Sequence, residues 1–407
     1  MCALEHVPVG AAPVPPSVCL AHPVPVRTIP PVSLRVLVAP DKFKGTLTAH
    51  QAAGAIVNGW WAARPQDEME MLPMSDGGDG FGGIVADLMG ATEQVTATVD
   101  AAARPVGAKW WWHEASRTAV IEAAQVVGLA MLPPNRFHPF ELDTRGLGPV
   151  IRTAVAAGAQ TVVIGIGGSA TNDGGFGVAT ALGWRFYDDR DQLIDKWVKL
   201  CRLTRWLPPL EPVLGVDIVV AVDVENPLLG LNGCTRVYGP QKGLLMQQAP
   251  IAEAALEKLA LRAREAAGYD ISDDPGCGAA GGLGFGLKVF LGARLEPGFE
   301  IFAAHAKLDE KITKADLVVT GEGAIDKQSL MGKGTGRMAQ RCRLLGKRCI
   351  GLAGMVEGGA QLPTNDRLFH SAHGITPTMT NPAASKKDAA KWLELLANKV
   401  GTDYDWS

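Results

Sequence analysis

One pattern constrains this chain more than any other. Short apolar runs stop at loops rich in glycine and aspartate, and helix-like stretches follow. LRVLVAP (Leu34–Pro40) has the pattern of a buried strand and runs into the polar loop DKFKGT. Thr48 and Gln51 then fit a capping box, Ala52, Ala53 and Ile56 continue an apolar helical face, and Pro65 stops it. EMEMLP (Glu68–Pro73) is the next strand and leads into SDGGDG (Ser75–Gly80). The pattern returns at TVVIG (Thr161–Gly165), DIVVAV (Asp217–Val222), ADLVVTGEG (Ala315–Gly323) and RCIGLAG (Arg348–Gly354). Helical patterns are expected near Leu147–Ala157 and Ile251–Ala267. Strands alternating with helices predict a parallel sheet covered on both faces, so the fold class is α/β.

The stretch from Val95 to Ile121 reads differently. VTATV, VGAKWWWH and TAVIE predict consecutive antiparallel strands. Trp110, Trp111 and Trp112 fit a strand crossing two environments; a nucleic-acid stacking platform would want interleaved basic residues. The simplest topology has two domains. A doubly wound domain is built from both ends of the ordered chain, residues 34–75 plus 285–400. A second α/β domain with a mixed sheet, residues 76–284, is inserted into it. Such an arrangement creates a cleft. The stretch Met1–Ser33 is broken throughout by proline and reads as a disordered extension or as the product of a start codon placed too far upstream.

Bulk composition narrows the function classes. A net charge of −3 over 407 residues offers no basic patch for nucleic acid or a membrane surface. No apolar run approaches the roughly 18–20 residues of a membrane helix. The 7 cysteines show neither C-x-x-C pairs nor zinc spacing, as expected of free thiols in a reducing, cytoplasmic setting. None of the 8 histidines lies by a Ser or Cys nucleophile elbow, and paired-His metal motifs are missing.

The chemistry therefore rests on the loops, which stand where ligands bind in open α/β sheets. Asp41-Lys42-Phe43-Lys44-Gly45 puts a carboxylate and two ammonium groups at a strand end, either as a solvated turn or as contacts to a phosphate or carboxylate. Ser75-Asp76-Gly77-Gly78-Asp79-Gly80 suits Mg²⁺ through Asp76 and Asp79, and serves equally as a turn and helix cap. In Gly165–Gly175, the glycines Gly167 and Gly168 allow close backbone approach, and Ser169, Thr171, Asn172 and Asp173 supply polar groups. The run Gly276–Gly284, with Gly281 and Gly282, is either an anion-binding helix start or a tight contact that only glycine permits. Gly321-Glu322-Gly323-Ala324-Ile325-Asp326, with Lys333 close behind, looks like phosphoryl-transfer equipment or like a cap plus a surface lysine. Asp223, Asn226, Gln241 and Lys242 are weaker candidates. Carboxylates, lysines and backbone N–H groups suit phosphoryl transfer, where the protein mostly positions and neutralises charge.

Taken together, APDKFKGTLTA (Ala39–Ala49), LPMSDGGDG (Leu72–Gly80), TRGLG (Thr144–Gly148), IGIGGSATNDGG (Ile164–Gly175), DVENPLLG (Asp223–Gly230), YGPQKG (Tyr238–Gly243), GAAGGLG (Gly278–Gly284) and VTGEGAID (Val319–Asp326) resemble the bacterial type I glycerate kinase family. The resemblance runs in order from Leu34 to about Val400. It implies a flavodoxin-like domain with a second α/β domain inserted, ATP and Mg²⁺ as cofactors, and D-glycerate phosphorylated at its 2-hydroxyl to give 2-phosphoglycerate. On that reading Lys42, Lys44, Asp76, Asp173 and Asp326 are the catalytic candidates. Asp41, Ser75, Gly77, Gly78, Gly167, Gly168, Ser169, Thr171, Asn172, Asp223, Gln241, Lys242, Gly281, Gly282, Gly321, Glu322 and Lys333 are expected to bind substrate or ATP, and Asp76 and Asp79 the metal. A cytoplasmic monomer or homodimer is expected. There are departures. Ala324 stands where the family usually has a basic residue, and Gly332-Lys333-Gly334-Thr335 where it usually has Gly-Lys-Ala-Pro. Two rival readings are an NAD(P)-linked hydroxy-acid oxidoreductase and a non-catalytic glycerate-binding relative. The first should show G-x-G-x-x-G after the first strand, which runs instead into Asp41–Lys44.

Overall fold

The structure, a computed structural model, describes residues 33–210, 215–330, 334–357 and 368–404. The expected disordered extension lies outside the described residues except for Ser33. In chain order the strands are β1 (Arg35–Val38), β2 (Glu68–Met71), β3 (Thr92–Val99), β4 (Pro105–His113), β5 (Thr118–Glu122), β6 (Thr161–Gly165), β7 (Arg185–Asp188), β8 (Leu203–Leu207), β9 (Asp217–Val222), β10 (Arg294–Pro297), β11 (Leu317–Ile325), β12 (Arg348–Val356) and β13 (Ser371–Thr376).

One sheet has the order β2-β1-β11-β12-β13, and every pairing in it is parallel. Counted along the chain within this sheet, the order is 2-1-3-4-5, the flavodoxin-like arrangement. Its strands are apolar on both faces. Leu37 and Val318 pack with Phe299, Phe302 and Met338 on one side. Val36, Val38 and Val319 pack with Ile56, Trp60 and Leu393 on the other. The helix Ala49–Ala63 covers that second side and starts as the sequence predicts. The Thr48 Oγ1 accepts from the Gln51 amide at 3.2 Å, and the Gln51 side chain accepts from the Thr48 amide at 2.9 Å.

The other large sheet has the order β3-β4-β5-β6-β9-β10. Antiparallel pairing joins β3, β4 and β5, and parallel pairing joins β5, β6, β9 and β10. Trp110 is buried while Trp111 and Trp112 are half-buried, so the tryptophan strand does cross two environments. The sheet extends further along the chain than the expected boundary at residue 284, because β10 pairs with β9. Arg294, Glu296 and Pro297 give β10 no apolar pattern to read. The β7–β8 hairpin forms a small sheet of its own.

Two helices lie between the large sheets. In Phe81–Met89, Ile84 faces the core of the first sheet while Phe81 and Val85 face Val120, Val163 and Val219 of the second. In Gly298–Ala306, Phe299 and Phe302 face the first and Ile301 the second. Burying both faces of both helices fixes the sheets against one another. The carboxyl ends of β1, β5, β6, β9, β11, β12 and β13 then border one cleft.

Candidate active site

The cleft has a volume of about 2340 Å³. It is lined by Asp41, Lys42, Lys44, Asp76, Gly78, Asp79, Gly167, Gly168, Ser169, Asp223, Asn226, Gln241, Lys242 and Glu322 from among the sequence candidates. Parallel β1 and β11 run side by side, and their extensions stay paired: the Asp41 amide donates to the Gly321 carbonyl at 2.8 Å. This brings Asp41 and Glu322 to one point. Asp41 is buried, and burial together with the charge of Asp76 pushes its carboxyl up to about 8, against the opposing pull of Lys42. Burial also raises Glu322. Its carboxylate accepts from the Ser329 hydroxyl at 2.8 Å and from the Thr335 hydroxyl, which lower it, while Asp76 and Asp326 raise it. Thr335, at the departure from the family's usual Pro, is thus a clamp on Glu322. A Cβ on Gly334 would lie 3.6 Å from Glu322 Oε2 and 3.9 Å from Asp76 Oδ2, so that glycine leaves the space between two carboxylates open.

The loop after β2 supplies the other half. Among the described residues, Asp76 Oδ1 accepts from its own loop, at the Gly78 amide 3.2 Å away. The Lys42 ammonium donates to the Asp79 carbonyl at 3.0 Å. The Gly80 amide donates to Glu122 Oε1 at 2.7 Å. Glu122, raised chiefly by burial, lines the cleft from the end of β5 and escaped sequence reasoning because no glycine loop follows it. The signal available was a carboxylate closing an apolar strand. Tyr238 was missed as a candidate too, and its hydroxyl donates to Asn226 Oδ1 at 2.6 Å. Residues Gly128 to Phe137 form another wall, from a stretch that carries no chemical motif.

Glycine at 167 and 168 brings the β6 loop against this one. A Cβ on Gly167 would lie 2.7 Å from Gly78 Cα, and one on Gly168 would collide with the Asp79 carboxylate. Ser169 follows, and its hydroxyl donates to the Ala280 carbonyl at 3.0 Å and accepts from the Lys242 ammonium at 3.1 Å. Lys242 also donates to the Thr171 carbonyl at 2.6 Å, and burial lowers its pKa to about 8.

Several candidates sit elsewhere. Asp173 is fully buried behind the cleft. Its Oδ2 accepts from the Thr144 amide at 2.9 Å, the Thr144 hydroxyl at 2.8 Å and the Gly177 amide at 2.9 Å, and its Oδ1 accepts from the Gly175 amide at 3.3 Å. Burial raises it to about 6 despite these donors. It ties the loop to the TRGLG segment and does not reach the cleft. Asp173→Ala should therefore cost about 3–5 kcal/mol of stability by orphaning buried donors, while Asp173→Asn keeps most of both stability and turnover. Thermal melts beside kinetics check this, and loss of turnover in Asp173→Asn with an unchanged melt would return the residue to catalysis. Thr171 and Asn172 are buried in the same loop, where Asn172 Nδ2 donates to Thr235 Oγ1 at 3.0 Å. Gly281 and Gly282 are tight contacts, not cleft residues: their φ values are 72° and 84°, and a Cβ on Gly282 would lie 2.7 Å from Leu228 and 2.9 Å from Gly174. Ser75, Gly77 and Gly321 are likewise buried backbone supports behind the lining. Asp326 accepts from the Ser329 amide at 3.2 Å and lies outside the cleft lining. Lys333 lies outside the described residues.

The charges of Asp76 and Glu322 raise the Asp41 carboxyl, and those of Asp76 and Asp326 raise Glu322, so negative charge is concentrated at this centre. Among the described residues no cage of three metal-ligating groups is preformed. Mg²⁺ bound with nucleotide needs no such cage, since it takes one or two carboxylates plus waters and phosphate oxygens. The residues present fit that mode.

A cleft of this make-up, between a flavodoxin-like sheet and a mixed one, has relatives. The sequence profile of the Glycerate kinase family matches residues 36–405. The chain belongs to the glycerate kinase family. A glycerate kinase of Halalkalibacterium halodurans is 34% identical over 375 residues, covering 91% of this chain and 98% of that one. A glycerate 2-kinase of Escherichia coli is 37% identical over 346 residues, covering 84% and 89%. A crystal structure assigned as a glycerate kinase 2 of Salmonella typhimurium LT2 superposes with a TM-score of 0.74 at 31% identity, covering 91% of this chain and 98% of the other. Family membership sets the oxidoreductase reading aside. Among the described residues no helix is long and apolar enough to cross a membrane.

Proposed function

We propose that this chain transfers the terminal phosphoryl group of ATP to the 2-hydroxyl of D-glycerate, with Mg²⁺ accompanying the nucleotide. The observation that carries the reading is the convergence of Asp41, Asp76, Glu322 and Lys42 where the glycine loops of two sheets meet, in a member of the glycerate kinase family. Asp76 and Glu322, with Asp41 behind them, would hold the divalent cation, which neutralises charge at the phosphates when bound. Lys42, held by the Asp79 carbonyl, puts a fixed positive charge beside them. Gly167 and Gly168 let a phosphate approach backbone N–H groups. With Asp173 and Asp326 outside the cleft, orientation of the attacking hydroxyl falls to carboxylates inside it: Asp76, Asp79 or Glu322. The two large sheets are read as two domains, the mixed one inserted into the flavodoxin-like one.

A coupled assay for ADP release, run with D-glycerate and a panel of other hydroxy acids, tests this. The expected result is turnover that needs both ATP and a divalent cation, with 2-phosphoglycerate identified by phosphorus NMR. No turnover on any acid would leave only a binding protein, and a 3-phosphorylated product would correct the position of attack.

A further inference from the structure

Among the described residues, Lys242 is the one cation lining the cleft that is buried, with a relative exposure of 7%. Its ammonium donates to two neutral acceptors, Ser169 Oγ and the Thr171 carbonyl. An ammonium has three donors, and neutral oxygens do not cancel its charge. The charged or titratable groups that act on it are Cys234 and Asp173. The Cys234 thiol is pushed up to about 12 by burial and stays neutral. The Asp173 carboxylate is spent on Thr144, Gly175 and Gly177. A buried cation at a cleft wall without a dedicated counter-charge is costly to hold, and an anionic ligand removes the cost.

The position of Lys242 selects the anion. Ser169 follows Gly168, which abuts the Asp79 side chain, and the Asp79 carbonyl holds Lys42. Lys242 and Lys42 thus flank the Gly167–Ser169 loop. Asp41, Asp76 and Glu322, which suit a metal-bound triphosphate, gather on the Lys42 side. The Lys242 side offers a single buried ammonium, which suits a small anion such as a carboxylate. We propose that Lys242 is the carboxylate subsite for the acceptor acid, its ammonium pairing with the substrate carboxylate while the substrate hydroxyl reaches across the loop towards Asp76 and Lys42. This rests on the reaction proposed above and adds the residue that makes it specific for an acid.

The test compares D-glycerate with its uncharged amide as acceptors, in wild type and in Lys242→Met. Wild type should prefer the acid by about 10²-fold in kcat/KM, and Lys242→Met should raise KM for glycerate by about 10²-fold. In that variant the preference over the amide should collapse, with KM for MgATP changed less than about threefold. A preference that survives in Lys242→Met, or a rise in KM for MgATP instead of glycerate, overturns the subsite. Should the variant fail to fold, the wild-type comparison decides: equal use of acid and amide overturns it. Calorimetric titration of glycerate separates this inference from the reaction itself. Glycerate binding that is lost in Lys242→Met supports the subsite even without turnover, and binding unchanged in the variant refutes it.

Discussion

Asp76→Ala should lower kcat by about 10³-fold while moving the melting temperature by no more than about 2 °C. The two effects separate because the Asp76 carboxylate does little for the folded protein alone. It is half-buried and, among the described residues, accepts one hydrogen bond, from Gly78 in its own loop. Its charge raises the carboxyls of Asp41 and Glu322, an unfavourable interaction that alanine relieves. Its value appears only when a cation and phosphates sit between it and Glu322. The Mg²⁺ concentration for half-maximal rate should therefore rise in the variant, and the surviving activity should stay dependent on the metal. Turnover and metal dependence equal to wild type would remove Asp76 from the site and with it the assignment of this end of the cleft.

Most of the fold was legible because its strands are buried on both faces. Val36, Leu37 and Val38 read as a strand in any register, and the Thr48–Gln51 box and Pro65 fix the following helix at both ends. The strands that were missed lack that signal. β13 is half-exposed over most of its length, and β10 is short and carries charge. What joins the sheets was not legible either. Phe81, Ile84 and Val85 look like one broad apolar helix face, and nothing local says that Ile84 and its two neighbours serve different cores.

The loops at strand ends were found from glycine and aspartate, and that signal does not separate lining from backing. Asp79 and Asp173 sit in similar sequence settings, Gly-Gly-Asp-Gly and Thr-Asn-Asp-Gly-Gly. One is exposed beside Lys42, and the other is fully buried under donors from Thr144. The difference is made by residues 29 positions away, which local sequence cannot show. Glu122 is the converse, a cleft carboxylate in an unmarked strand, identified only once β5 pairs in parallel with β6 and their carboxyl ends align.

Gly167→Ala should cut kcat/KM by about 10²-fold and cost about 1–3 kcal/mol of stability. Gly167 does not have a positive φ, so alanine carries no conformational penalty there and acts through its methyl group alone. That methyl would sit 2.7 Å from Gly78 Cα, 3.0 Å from the Gly77 carbonyl oxygen and 3.0 Å from the Gly78 carbonyl carbon. All three are backbone atoms, so no side chain can swing aside and the loops must part. The loops that part are the ones carrying Asp76 and Asp79 on one side and Ser169, with its bond to Lys242, on the other. A displacement near 1 Å between groups that must act on one substrate is enough for the loss in rate. Gly54→Ala is the control, because a methyl there meets nothing within 4 Å in the helix Ala49–Ala63. It should leave turnover intact and raise stability by about 0.5–1 kcal/mol. Kinetics and melts of the two variants side by side check the contrast. Wild-type turnover in Gly167→Ala would mean that the two loops are not the two sides of one reaction site.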